Sequence, residues 1–257
     1  MFLSINHCQN FILWYNKIIE IDTKGEIFMK SRFVNDVKQE HILTPILVDI
    51  VSEFLNIYNM SANLISFEDD ADAQYQGIDF VMSNSDNSSS WNVDLKCQTN
   101  EYINSPTPTF SLELCYQKDG VRKLGWFIKN DNLTDYYLFA WIKKANLDEN
   151  QMITSKEQIE YMDFMFVKKE DIYKFLGDNG FTASGLLDDA FSLVASGERM
   201  KKICSNHYNA KLVCSTHLAE KPVNIIVSKY TYLHMPNTIY LVYEKGKGLY
   251  RSNTLVD

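Results

Sequence analysis

No apolar run in this chain is long enough to cross a bilayer. The longest near the start, Phe11-Ile12-Leu13-Trp14-Tyr15, falls far short of the roughly 18–20 residues that a spanning helix needs. It also lacks a basic leader and a small-residue cleavage site, which argues against a signal peptide. The Asn-x-Ser/Thr triplets beginning at Asn59, Asn87 and Asn132 are then incidental. Cysteine is sparse and odd in number, five residues with no dense spacing, so a disulfide framework is not expected and a reducing cytoplasm is the natural setting. No G-x-x-x-x-G-K-[ST] loop is present, which argues against nucleotide-driven motion within the chain. Neither a G-x-S-x-G elbow nor H-E-x-x-H occurs, so the nucleophilic-serine and zincin chemistries lose their usual signatures. Glycine and proline are scattered, and only Ser83–Ser90 (SNSDNSSS) is biased enough to read as a polar loop.

Positive charge is also in deficit: the formal net charge is −8, which at face value disfavours a nucleic-acid partner. The distribution matters more than the sum. Residues 67–101 carry eight acids (Glu68, Asp69, Asp70, Asp72, Asp79, Asp86, Asp94, Glu101) against the single base Lys96. Residues 196–251 carry nine Lys/Arg against three acids, interleaved with Tyr208, Tyr230, Tyr232, Tyr240, Tyr243 and Tyr250. An acidic centre beside a basic, aromatic region suits a protein that holds a phosphate backbone near a metal site.

At 257 residues the chain has ample length for a real core. Residues 10–30 alternate around Asp22-Thr23-Lys24-Gly25 and suggest a hairpin. Met29-Lys30-Ser31-Arg32 resembles a bacterial start, which makes residues 1–28 a candidate upstream extension. Residues 33–59 repeat apolar positions at helical spacing (Ile46, Leu47, Ile50, Val51, Phe54, Leu55, Tyr58). Thr44-Pro45 fits a cap and first-turn proline, so two helices or one kinked helix are expected. Strands are expected at 62–67, 77–82, 91–97, Thr109–Tyr116, Gly125–Ile128 and 163–168. Tyr136–Ile142 (YYLFAWI) reads as a central strand buried on both faces. Helices are expected at 156–162, 169–177 and 184–203, with closing strands at Val223–Val227 and Ile239–Tyr243. The fold class is α/β (α+β), in three parts: an N-terminal hairpin or extension at 1–32, a core at 33–176, and a C-terminal elaboration packed on it at 177–257.

The chemistry concentrates in Gln76-Gly77-Ile78-Asp79-Phe80-Val81 and Asn92-Val93-Asp94-Leu95-Lys96-Cys97-Gln98. Side chains at i and i+2 of a strand share a face, so Asp94 and Lys96 look into the same space. A paired strand could bring Asp79 to it. Two carboxylates suit Mg²⁺, which activates water and coordinates phosphate oxygens, while a lysine stabilises developing negative charge. Hard oxygen donors and few imidazoles favour Mg²⁺ or Mn²⁺ over zinc.

This pattern resembles the PD-(D/E)xK, or restriction-endonuclease-like, nuclease superfamily. That signature is an acid on one strand, (D/E)-x-K on the next, and often a glutamate on a preceding helix. Asp79 matches the first acid and Asp94-Leu95-Lys96 the second half. Glu40 looks like the helix acid, with Glu53 its rival, and Gln98 stands on the Lys96 face where several branches carry a polar residue. Ile78 replaces the motif's proline, and the second acid is Asp rather than the commoner Glu. The resemblance covers residues 33–176. It implies a mixed central sheet flanked by helices, catalytic roles for Asp79, Asp94, Lys96, Glu40 and Gln98, and Asp79 and Asp94 as metal ligands. It further implies a cytoplasmic, Mg²⁺-dependent endonuclease of restriction or defence type acting on DNA, with no membrane partner and with a homodimer a compatible assembly. An RNA substrate, or an inactive binding module on the same fold, stays open.

Three rival features complete the reading. Asp72 competes as first acid, though its Asp-Asp-Ala-Asp surroundings resemble a solvated loop. Cys204, His207, Cys214 and His217 form a doublet that could hold zinc, set against a core role for the cysteines. Glu113, sharing a strand face with Thr109 and Ser111, could line a substrate groove, while Trp126 and Trp141 read as core.

Overall fold

A computed structural model describes residues 33–65, 71–99, 102–118, 120–148, 151–204, 210–216, 218 and 220–255. The expected N-terminal hairpin, the alternative start at Met29, His207, Tyr208 and His217 lie outside the described residues.

Helix α1 (Phe33–Ile57) is a single element with Pro45 inside it, resolving the choice left open at Thr44-Pro45. The Thr44 hydroxyl donates to the Glu40 carbonyl at 2.9 Å. Leu43, Leu47, Ile50, Val51, Phe54 and Leu55 are buried, the stripe expected from helical spacing. Two sheets follow. The larger uses β1 (Met60–Leu64), β2 (Phe80–Asn84), β3 (Ser90–Cys97), β6 (Tyr136–Ala145), β7 (Ile159–Lys168), β11 (Ile239–Glu244) and β12 (Gly248–Arg251), in the order β1-β2-β3-β6-β7-β11-β12. Its β3–β6 pair is parallel and the rest antiparallel. The smaller sheet is wholly antiparallel and uses β4 (Thr109–Lys118), β5 (Val121–Leu124), β8 (Met200–Cys204), β9 (Ala210–Cys214) and β10 (Val223–Ser228), in the order β5-β4-β10-β9-β8. The remaining helices are α2 (Ala71–Tyr75), α3 (Lys169–Asp178), α4 (Ala183–Ser196) and α5 (Lys229–Leu233). The fold is therefore mixed α+β. Among the described residues no helix is long and apolar enough to cross a membrane.

The two faces of the large sheet build two cores. Val93 and Leu95 of β3, with Leu138, Ala140 and Ile142 of β6, pack with the α1 stripe. Tyr137, Phe139 and Trp141 point the other way and join Leu112, Leu114, Leu212, Ile225 and the α3–α4 side chains between the sheets. β6 is thus buried on both faces, which is why it reads as an unbroken apolar run. Residues 177–257 are woven through both layers, giving β8–β10 to the small sheet and β11–β12 to the large one.

Three expected elements differ. Gly125–Ile128 is a turn rather than a strand. A Cβ on Gly125 would lie 2.4 Å from the Glu113 carbonyl oxygen, so the backbone presses on β4 itself, and Ile128 N–H donates to Gly125 O at 3.3 Å. Residues 156–162 are not a helix: a 3₁₀ turn at Lys156–Gln158 leads into β7. From Ile159 onward, aromatic and aliphatic side chains pair with both β6 and β11, and this tertiary pairing outweighs local helical pattern. The helix expected over 184–203 stops at Gly197, in the left-handed region at φ 72°, the usual glycine helix stop. β8 takes the remainder.

Candidate acidic centre between two strands and a helix

Val93 and Leu95 are fully buried against α1, so the strand pleat turns Asp94 and Lys96 to the opposite face. The parallel register sets Asp94 beside Tyr137 and Lys96 beside Phe139. On the other side, the β2–β3 register pairs Phe80 with Val93, so Asp79, one residue before β2, falls across from Asp94. Two hydrogen bonds fix it: Asp79 N–H donates to Val93 O at 2.9 Å, and Leu95 N–H donates to Asp79 Oδ2 at 2.7 Å. The Asp79 and Asp94 carboxyls are also within hydrogen-bonding reach of each other.

Lys96 Nζ binds Asp94 Oδ1 at 2.7 Å and approaches Glu40 Oε1 of α1 at 3.7 Å. Asp94 is almost wholly buried, its side chain 2 % exposed against 24 % for Lys96. The structure also decides between the two helix acids. Glu53 pairs with Lys156, which reaches Asp49 at 3.5 Å as well, and belongs to a separate surface cluster. Gln98 does not enter the acidic group. Its amide nitrogen donates to Thr109 O at 2.7 Å and to Thr107 Oγ1 at 2.8 Å, and its oxygen accepts Thr107 N–H at 2.9 Å. It ties the end of β3 to the segment leading into β4. Asp72 is exposed in α2.

Burial dominates the electrostatics. It lifts Asp79 to about 7, helped by the Asp94 charge and opposed by Lys96 and the Leu95 N–H. Burial likewise raises Asp94 and Glu40 above the usual carboxylate range, with Lys96 opposing in each case. For Lys96 burial alone would lower the ammonium. Asp94, Glu40 and Asp79 outweigh it and hold the proton far more tightly than usual.

Several further neighbours shape the centre. Gly77 has φ +78°, and a Cβ there would meet Asn132 Nδ2 and Thr134 Oγ1 at 2.7 Å and Asp94 Oδ2 at 3.3 Å. The loop 131–135 fixes the strand approach: Thr134 Oγ1 donates to Gly77 O at 2.7 Å, and Leu133 N–H to Gln76 O at 2.9 Å. Trp126, partly exposed, puts its ring 5.4 Å from Lys96 Nζ, while its carbonyl accepts Asn132 Nδ2 at 3.1 Å. The Glu113 carboxyl of β4 is raised by burial, opposed by the Trp126 backbone N–H and by Lys96. The sequence placed Glu113 on a groove-facing strand but gave no sign that it neighbours Lys96. Lys169, first residue of α3, donates from Nζ to Asn132 Oδ1 at 2.6 Å and to Asn132 O at 2.9 Å. The Tyr137 hydroxyl is buried and has no hydrogen-bond partner among the described residues.

The tyrosine-rich C-terminal third is less open than its sequence suggested. Tyr232, Tyr240 and Tyr243 are core residues, leaving Tyr230 and Tyr250 exposed. Lys201, Lys229, Lys245 and Lys247 pair with Asp189, Asp163, Glu160 and Glu244. Of the proposed zinc doublet, Cys214 is buried in β9, while both histidines are outside the described residues. Among the described residues no three His, Cys, Asp or Glu side chains group as a ready-made metal cage.

No protein-family model, curated protein or solved structure matches this chain.

Proposed function

We propose that this chain is a metal-dependent nuclease hydrolysing phosphodiester bonds in DNA, of the restriction or defence type, on a restriction-endonuclease-like core. The observation that carries the reading is the meeting of Asp79 and Asp94, from neighbouring strands, beside a lysine held at 2.7 Å by Asp94 and reached by Glu40 from the preceding helix. The order of helix, three antiparallel strands and a buried strand parallel to the third supports the same reading.

The donor set fits a hard divalent cation. Asp79, Asp94 and Glu40 set three carboxylates against one ammonium, so full ionisation leaves two negative charges uncompensated, the charge that Mg²⁺ or Mn²⁺ would neutralise. Asp79 and Asp94 would hold the ion, with water and phosphate oxygens filling the rest, as Mg²⁺ prefers. When bound, such a cation supplies an acidified water and polarises the phosphoryl oxygens. The protein's own work is electrostatic and positional. Lys96, kept protonated by three acids, stabilises charge developing on the phosphate. Glu40 holds Lys96 from the helix side and can orient a water. The Leu95 N–H fixes Asp79, and Gln98 fixes the end of the strand that carries both Asp94 and Lys96. A homodimer cutting both strands is compatible with this role.

A second reading, an inactive nucleic-acid- or protein-binding module, draws on the ion-paired C-terminal lysines and the net charge of −8. Plasmid cleavage with Mg²⁺ by wild type, Asp94→Ala and Lys96→Ala separates the two. Cutting by the wild type alone is expected; equal cutting by all three assigns it to a contaminant, and cutting by none favours the binding module. An RNA substrate tested in parallel decides the sugar.

A further inference from the structure

Lys96 is committed: its ammonium is shared between Asp94 and Glu40. Lys169, the other cation of the centre, is held differently. An ammonium has three N–H donors, and Lys169 spends two on neutral oxygens of Asn132, at 2.6 and 2.9 Å. It forms no ion pair among the described residues, although it is partly buried and feels the Asp94 and Asp135 carboxylates. Asn132 connects it to the acidic pair. Its Oδ1 takes Lys169, and its Nδ2 lies 2.7 Å from the point above Gly77 that is itself 3.3 Å from Asp94 Oδ2. One amide thus separates this ammonium from the carboxylates, and the same amide anchors the Trp126 carbonyl at 3.1 Å. A partly buried cation, rigidly held, with a donor to spare and no acid of its own, is a receptor for an anion.

We propose that Lys169 is a second substrate-holding cation, binding a phosphate of the DNA strand next to the one cleaved. This rests on reading Asp79, Asp94 and Lys96 as a phosphodiester centre. A strand crossing that centre brings a regular series of phosphates, and the committed Lys96 serves only one. The third N–H of Lys169 meets the neighbouring phosphate, and Asn132 keeps the flexible side chain extended toward it. The role is binding rather than chemistry, so its loss appears in affinity and its salt dependence.

The test is fluorescence anisotropy of labelled duplex and single-stranded DNA with the full chain, Ca²⁺ replacing Mg²⁺ to suppress cutting, over a series of salt concentrations. The proteins are wild type, Lys169→Gln, Lys169→Arg and, as control, Lys174→Gln, whose lysine pairs with Asp178 farther along α3. Lys169→Gln keeps an amide donor for Asn132, so its thermal midpoint is expected to match wild type. Its affinity is expected to fall about 10-fold, with the slope of log K against log salt shallower by about 0.7–0.9, one phosphate contact. Lys169→Arg and Lys174→Gln are expected to keep the wild-type slope. Wild-type affinity and slope in Lys169→Gln overturn the proposal while leaving the nuclease reading intact, as does an equal loss in Lys174→Gln or a loss of folding stability with the slope unchanged. A wild type that neither binds nor cuts DNA overturns the reading of the centre itself.

Discussion

Replacing Asp79 by asparagine should make the metal-free protein more stable at neutral pH. Burial and the Asp94 charge lift the Asp79 carboxyl to about 7, whereas an unfolded chain releases that proton near pH 4. Between those limits the native state binds a proton that the unfolded state has lost, so this group's contribution to stability falls as pH rises from about 4 to about 7 and is level beyond. A displacement of about three pH units corresponds to about 4 kcal/mol at most, and water and counter-ions near a partly exposed group reduce it to roughly 2–4 kcal/mol. Asparagine copies the protonated form: its oxygen can accept the Leu95 N–H, its nitrogen can donate to Asp94, and it cannot ionise. Urea unfolding of wild type and Asp79→Asn at pH 5, 6, 7 and 8, in chelator, reads the effect of the centre, because titrating groups outside it cancel in the difference. The variant should gain on wild type progressively up to about pH 7. Adding Mn²⁺ at pH 8 should raise the wild-type midpoint and leave the variant unmoved. Parallel curves across that range, or a variant less stable than wild type at pH 8, would refute the electrostatic account of the centre.

Two further perturbations test its surroundings. Gly77→Ala forces a Cβ into a left-handed position 2.7 Å from Asn132 and Thr134; the strain and overpacking should cost about 2–4 kcal/mol and cut nuclease activity by displacing Asp94, and a change below about 0.5 kcal/mol in thermal unfolding would show that the loop simply yields. Between the sheets, Lys229 pairs with Asp163, which is fully buried and whose second oxygen has no partner among the described residues. Lys229→Met should therefore cost about 3–5 kcal/mol, and adding Asp163→Leu should recover most of that loss by urea unfolding, since the damage lies in the stranded carboxylate.

Much of the frame was legible because it rests on local periodicity. The α1 stripe, the buried run of β6 and the shared face of Asp94 and Lys96 follow from spacing alone. Two of the errors fell where tertiary contact overrode local pattern, at Gly125, pressed against β4, and at residues 159–162, drawn into a strand by two neighbours; the third carried a helix past its local stop at Gly197. β5, β8 and β12 went unread because strands of four or five residues are too short to leave a clear periodic signal, and β9 was glimpsed only at Leu212 and Val213 beside Cys214. At the centre, Glu40 and Glu53 both sat in the helical stretch before the strands, and only packing could choose between them. Gln98 was assigned its face correctly, yet its amide is taken by Thr107 and Thr109. Lys169 had no motif to mark it, and Glu113 was marked only by its strand face.

The sequence by itself determined that one strand would offer an acid and a lysine to the same side, because an extended backbone repeats every second residue. It also determined a helical stretch with one apolar stripe upstream of that strand and a strand buried on both faces downstream of it. Only the tertiary structure decided what meets Asp94 and Lys96. The β2–β3 register carries Asp79 across, the docking of α1 on the opposite face still lets Glu40 reach Lys96, and the loop at Asn132 brings Trp126 and Lys169 to the same edge. Those contacts join residues far apart in the chain, and their selection depends on burying both faces of the large sheet at once, a constraint that no local stretch of sequence contains.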